Sequence, residues 1–74
     1  MIGNIDELEF VFFCIESIAE RLKISGNKVY DMLATDSDIL CKYIVPCYDS
    51  LHTQGKDYIV DDILEVMRER GLKV

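Results

Sequence analysis

From Ile5 to Leu22 apolar residues recur three and four positions apart with no glycine or proline among them, and that spacing commits the start of the chain to a helix. Projected at about 100° per residue, Ile5, Leu8, Val11, Phe12, Ile15, Ile18, Ala19 and Leu22 fall in one sector, the expected core face. Asn4 followed by Glu7 has the form of a capping box, so the helix is expected over about 5–23. Phe10, Phe13 and Cys14 fall outside the stripe, in the sector of Asp6, Ser17 and Arg21. A helix that is apolar on more than one side needs cover from a second element or a second chain.

The rest of the chain carries the same period. Ser25 is placed to cap a second helix reaching about Ala34, with Val29, Met32 and Leu33 inward. Thr35-Asp36-Ser37-Asp38 offers another set of capping residues. Ile39, Leu40, Tyr43, Ile44, Cys47 and Leu51 then keep helical spacing across Pro46, which removes an amide donor and clashes with the preceding turn. A kink, or two short helices nearly in line, is expected there. His52-Thr53-Gln54-Gly55 reads as a loop. Ile59, Val60, Ile63, Leu64, Val66 and Met67 form a last stripe, capped by Asp57 or Asp61 and closed by Gly71; whether Tyr58 to Val60 is helical or extended stays open. The expectation is one all-α domain over residues 1–74, four to five short helices in a compact orthogonal bundle with a helix-turn-helix-like corner.

Composition narrows function. Fourteen acidic residues against eight basic ones leave a net charge of -6, which repels phosphate backbones and anionic lipid. The longest apolar run, Phe10 to Ile15, is far below the roughly 18–20 residues that span a bilayer, and acids precede it where a signal peptide carries cations. A cytoplasmic protein is expected. Cys14, Cys41 and Cys47 match no disulfide framework and read as reduced thiols. Cys41, Cys47 and His52 lack the C-x-x-C pair and fourth ligand of a zinc site.

Two stretches resemble a known family. Glu9 to Glu16 with Ile24-Ser25-Gly26-Asn27-Lys28-Val29-Tyr30, and Tyr48 to Asp62 with its Leu-His-Thr-Gln-Gly segment, are similar to the small bacterial proteins of domain of unknown function family 3791. The resemblance covers nearly the whole chain and implies a compact helical protein. Members are often encoded beside an ADP-ribosyltransferase-like toxin family, which implies an antitoxin-like partner role; no functional residue carries over.

The remaining motifs have ordinary readings. Ala19 to Val29 has helix-turn-helix spacing, but its second helix offers only Asn27 and Lys28 as DNA contacts, a poor groove reader. His52 with Cys47 and Asp49 lacks an oxyanion site and a pocket, and caps a helix end or packs a loop instead. Asp61, Asp62 and Glu65 are explained as acids in the first turn of a helix, without a cation. Gly26, Gly55 and Gly71 are isolated, so no phosphate-cradling loop exists. The reading is a non-enzymatic protein-interaction module with no catalytic residue, metal or cofactor, a homodimer through Phe10, Phe13, Cys14 and Ser17 or the partner of a protein encoded nearby. The alternative is a helix-turn-helix DNA-binding regulator.

Overall fold

Helix α1 spans Ile5–Leu22 in a computed structural model that describes residues 5–74; the capping box at Asn4 lies outside the described residues. Asp6 and Glu7 sit in its first turn and Arg21 in its last, each complementing the partial charge of the helix end. The helix closes at Lys23, whose φ is +59°, and the Ile24 amide donates back to the Ala19 carbonyl at 3.1 Å. A left-handed residue in this place is the usual helix terminator, most often glycine.

Ser25 caps the next helix as its type and position predict: its Oγ accepts the Lys28 amide at 3.2 Å, and α2 runs over Gly26–Tyr30. The helix does not stop there but widens over Asp31–Thr35, where the Asp36 amide reaches the Asp31 carbonyl at 2.7 Å, a π-type bond. Ser37 joins this segment to the following one. Its hydroxyl donates to the Met32 carbonyl at 2.7 Å and accepts the Ile39 amide at 3.4 Å, so one side chain closes a helix and opens another.

A second widened segment covers Leu40–Ile44, ended by Pro46. Beyond it the Cys47 amide bonds the Tyr43 carbonyl at 3.0 Å, and α3 occupies Tyr48–Leu51. The expected break at Pro46 is thus realised as two short helices. Helix α4 runs over Lys56–Glu69, so Tyr58 to Val60 are helical. Its N-cap is Gly55, which supplies no side-chain acceptor; neither Asp57 nor Asp61 caps it. At its far end Gly71 has φ +89°, with the Leu72 amide on the Met67 carbonyl at 2.9 Å and the Gly71 amide on Arg68 at 3.0 Å. This pair of bonds is a Schellman closure.

Among the described residues there are no strands, and the helices pack as an all-α orthogonal bundle. Cys14 and Ile18 of α1, Val29 of α2, Leu33, Ile39 and Ile44 of the middle segments and Ile63 and Met67 of α4 are all fully buried. The long helix α1 packs against both α2 and α4.

The core face of α1 differs from the expected one. Two adjacent ridges are turned inward: Phe10, Cys14 and Ser17, and Val11, Ile15 and Ile18. Ile5, Leu8 and Phe12, assigned to the core by the projection, are exposed. The reason is cover from α4 and α3. The first ridge continues to Arg21, which donates to Asp61 at 2.6 Å and approaches Asp57 at 3.4 Å, while Lys56 bonds Glu20 at 2.7 Å. Cover from α4 at the Arg21 end and from Tyr48 at Phe10 turns the Phe10–Ser17 ridge inside and the Phe12 side out.

Candidate interaction surface

The outward side of α1 is apolar and acidic at once. Ile5 is 70% exposed, Phe12 55% and Phe13 39%, with Leu8 on the border. Ile5, Leu8 and Phe12 stand three and four residues apart and so share one ridge. Glu9 and Glu16 are exposed one step around the helix, between the Phe12 ridge and Phe13. The ion pairs among the described residues use Glu20, Asp38, Asp57 and Asp61; neither Glu9 nor Glu16 takes part.

Beside Phe12 lies a groove of about 360 Å³, lined by Phe12 and Ile15 of α1 and by Ser25, Gly26, Asn27 and Tyr30 of the corner and α2. Local sequence explains its shape. Ser25 is committed to the Lys28 amide, and Gly26 contributes no side chain to the floor. A Cβ at Gly26 would lie 3.6 Å from Ile15 Cγ2, ordinary contact, so the position tolerates a methyl and the glycine mainly keeps the floor open. Phe12 and Tyr30, both about half exposed, form the walls.

The residues expected to form an interface are mostly inside. Phe10, Cys14 and Ser17 are buried in the chain's own core and are unavailable to a second molecule; this corrects the expected dimer face. Phe10 meets Tyr48 edge-on with centroids 5.4 Å apart and stacks on Phe13 at 6.4 Å. Phe13 alone of the four remains partly open. Burial pushes the Cys14 thiol up to about 12, which makes it a small hydrophobe and no nucleophile. Asn27 and Lys28 are exposed on α2, Asn27 at the groove and Lys28 as the one cation of that helix.

His52 ends α3. Its Nδ1 lies 2.7 Å from the Tyr48 carbonyl, and since a carbonyl only accepts, Nδ1 carries the proton. The imidazole stacks on the Tyr48 ring at 4.4 Å and 11°. Burial, then the nearby charges of Asp6, Asp49, Glu7 and Glu9, raise the Tyr48 hydroxyl above its usual range; the negative field of the α1 start converges there. Asp61 and Asp62 lie beyond the first turn of α4, contrary to expectation, and both are engaged: Asp61 by Arg21, Asp62 by the hydroxyl of Tyr43. Among the described residues no group of three or more His, Cys, Asp or Glu side chains converges to hold a metal ion, none of the cysteines forms a disulfide, and no helix is long and apolar enough to cross a membrane.

Sequence reasoning missed Phe12, Leu8 and Ile5 as surface residues. A signal for them exists in the chain: Phe10, Cys14, Ser17 and Arg21 are spaced four, three and four apart, and Asp57 and Asp61 stand one turn apart on α4. An arginine ending an inner ridge opposite two carboxylates marks the ridge that another helix covers.

The model of one protein family, described as protein of unknown function (DUF3791), matches residues 9–70. No curated protein and no solved structure matches the chain.

Proposed function

We propose, on the premise that this chain belongs to the DUF3791 family of proteins of unknown function, that it is a non-enzymatic protein-interaction module whose contact face is the outer side of α1 with the adjoining groove of α2. One observation carries the reading. Of the large hydrophobic side chains exposed among the described residues, Ile5, Leu8, Phe12, Phe13 and Tyr30 all lie on α1 and α2, with only Tyr58 elsewhere. Scattered exposed hydrophobes need no explanation, but a contiguous set beside a groove is the usual mark of a binding surface. The chemistry supports the same reading from the other side: the thiol of Cys14 is buried, His52 is tied to a helix end, and Asp61 and Asp62 of α4 are engaged by Arg21 and Tyr43.

A toxin-like protein encoded nearby, the partner that the family resemblance implies, is the first to seek. The test is a photo-activatable cross-linking residue at Phe12, compared with one at the exposed Glu65 of α4, in the native bacterium. A discrete protein adduct from position 12 and none from position 65 is expected. Adducts of equal yield from both positions, or none from position 12, would remove the proposal.

A further inference from the structure

We infer that the groove between α1 and α2 seats a basic amphipathic helix of another protein, with an apolar side chain entering between Phe12 and Tyr30 and Lys or Arg side chains running along Glu9 and Glu16. The inference rests on the interaction reading above and adds the chemistry of the partner.

The apolar half follows from shape. A cavity of about 360 Å³ holds one or two large side chains, and half-exposed aromatic walls are the residue type that anchors interfaces. Ile5, Leu8 and Phe12 extend the apolar surface along about 10 Å of helix. Anchors at that pitch match the i, i+3 or i+4, i+7 pattern of a partner helix. No strand edge exists among the described residues to receive an extended peptide by backbone pairing.

The cationic half follows from charge. Glu9 and Glu16 flank Phe12 in the open and enter no ion pair of the described residues. Any occupant that covers Phe12 partly dehydrates these carboxylates, which is costly without cations to pair them. A second copy of this chain fits badly. A two-fold contact centred on Phe12 would set Glu9 against the partner's Glu16, like charge on like charge, between two molecules each of net charge -6. A basic helix removes both penalties.

The probes are three synthetic helices of about 16 residues, long enough to fold on binding: Leu and Phe on one face with Lys elsewhere, the same apolar face with Glu elsewhere, and the Lys peptide with its apolar face changed to Ser. Fluorescence anisotropy should show the first binding at least about tenfold tighter than the other two, and weakening about tenfold or more with Phe12→Ala and with Glu9→Lys plus Glu16→Lys. All these positions are exposed, so circular dichroism should report unchanged folding. Equal binding of the Lys and Glu apolar peptides, both lost in Phe12→Ala, would keep the interaction face but overturn the basic partner. Undiminished binding of the Ser-faced Lys peptide would overturn the groove, as would no binding by any peptide, while cross-linking at position 12 still decides the parent reading. A dimer in sedimentation that Phe12→Ala dissociates would make a second copy the occupant and end the inference.

Discussion

The ring of Phe10 stands edge-on to that of Tyr48, centroids 5.4 Å apart and planes at 75°, a geometry that aromatic pairs favour. It ties the middle of α1 to α3 and buries Phe10, while Phe12, two residues on, faces solvent. The two phenylalanines should therefore answer truncation in opposite ways. Phe10→Ala removes a core ring and is expected to cost about 3 kcal/mol, much of the few kcal/mol that a domain of this size has to lose. Phe12→Ala should stay within about 0.5 kcal/mol of the parent. Urea denaturation followed by circular dichroism measures both; equal destabilisation would contradict the orientation of α1.

Lys23 carries a backbone conformation that suits glycine. With φ at +59° its Cβ crowds the following carbonyl, at a cost of roughly 1–2 kcal/mol, partly offset because glycine gives up more chain entropy on folding. Lys23→Gly is expected to stabilise by about 0.5–1 kcal/mol, a rise of several degrees in Tm. Gly71→Ala, at the matching place after α4 with φ +89°, should lower Tm. A Lys23→Gly variant that melts earlier than the parent would show that the lysine side chain compensates for its backbone.

These two cases also show what the sequence makes legible. Helix existence is readable because each buried stripe repeats at helical pitch, and Ser25, Ser37, Pro46 and Gly71 punctuate the chain by mechanisms local to a few residues. The orientation of α1 is not local. Its apolar residues cover most of its circumference, so the inward side is decided by where α3 and α4 lie, and α4 is held by Arg21 and Glu20 from more than thirty positions away. The widened turns at Asp31–Thr35 and Leu40–Ile44 escape reading for a different reason. They alter hydrogen bonding within a continuous helical stripe and leave the spacing of apolar residues almost untouched. The Phe12 groove depends on both unknowns, and so its walls appear only once the helices are placed.

Tyr43 and Asp62 form a polar contact between the middle segment and α4. Burial first, then the hydrogen bond to Asp62 and its charge, hold the Tyr43 hydroxyl well above its ordinary range. Tyr43→Phe keeps the ring and removes the donor, leaving the carboxylate to water. A loss of about 1 kcal/mol is expected, and Tyr43→Phe combined with Asp62→Asn should lose little more than Tyr43→Phe alone. Additive losses in this double-mutant cycle would mean that the two side chains act independently.

Cys14, Tyr43 and Tyr48, whose protonated forms the fold favours, are all expected to weaken it at alkaline pH. The Cys14 thiol moves from 9.0 to about 12 because burial penalises its thiolate, so in the folded chain it keeps a proton that the unfolded chain releases. Between about pH 9 and 12 the unfolded state binds fewer protons, and stability must fall as pH rises. Below pH 9 both states are protonated and the contribution is fully present. The slope from one such group is about 1.4 kcal/mol per pH unit, and Tyr43, shifted the same way, steepens it above about pH 10. Cys14→Ser removes the thiol titration and should flatten the decline between pH 9 and 10, even though a buried hydroxyl lowers stability at neutral pH. At pH 8 the same burial predicts that iodoacetamide labels exposed Cys41 first and reaches Cys14 only after denaturant is added. Native labelling of Cys14 at the rate of Cys41, read by mass spectrometry, would show that the core around α1 opens far more readily than its packing implies.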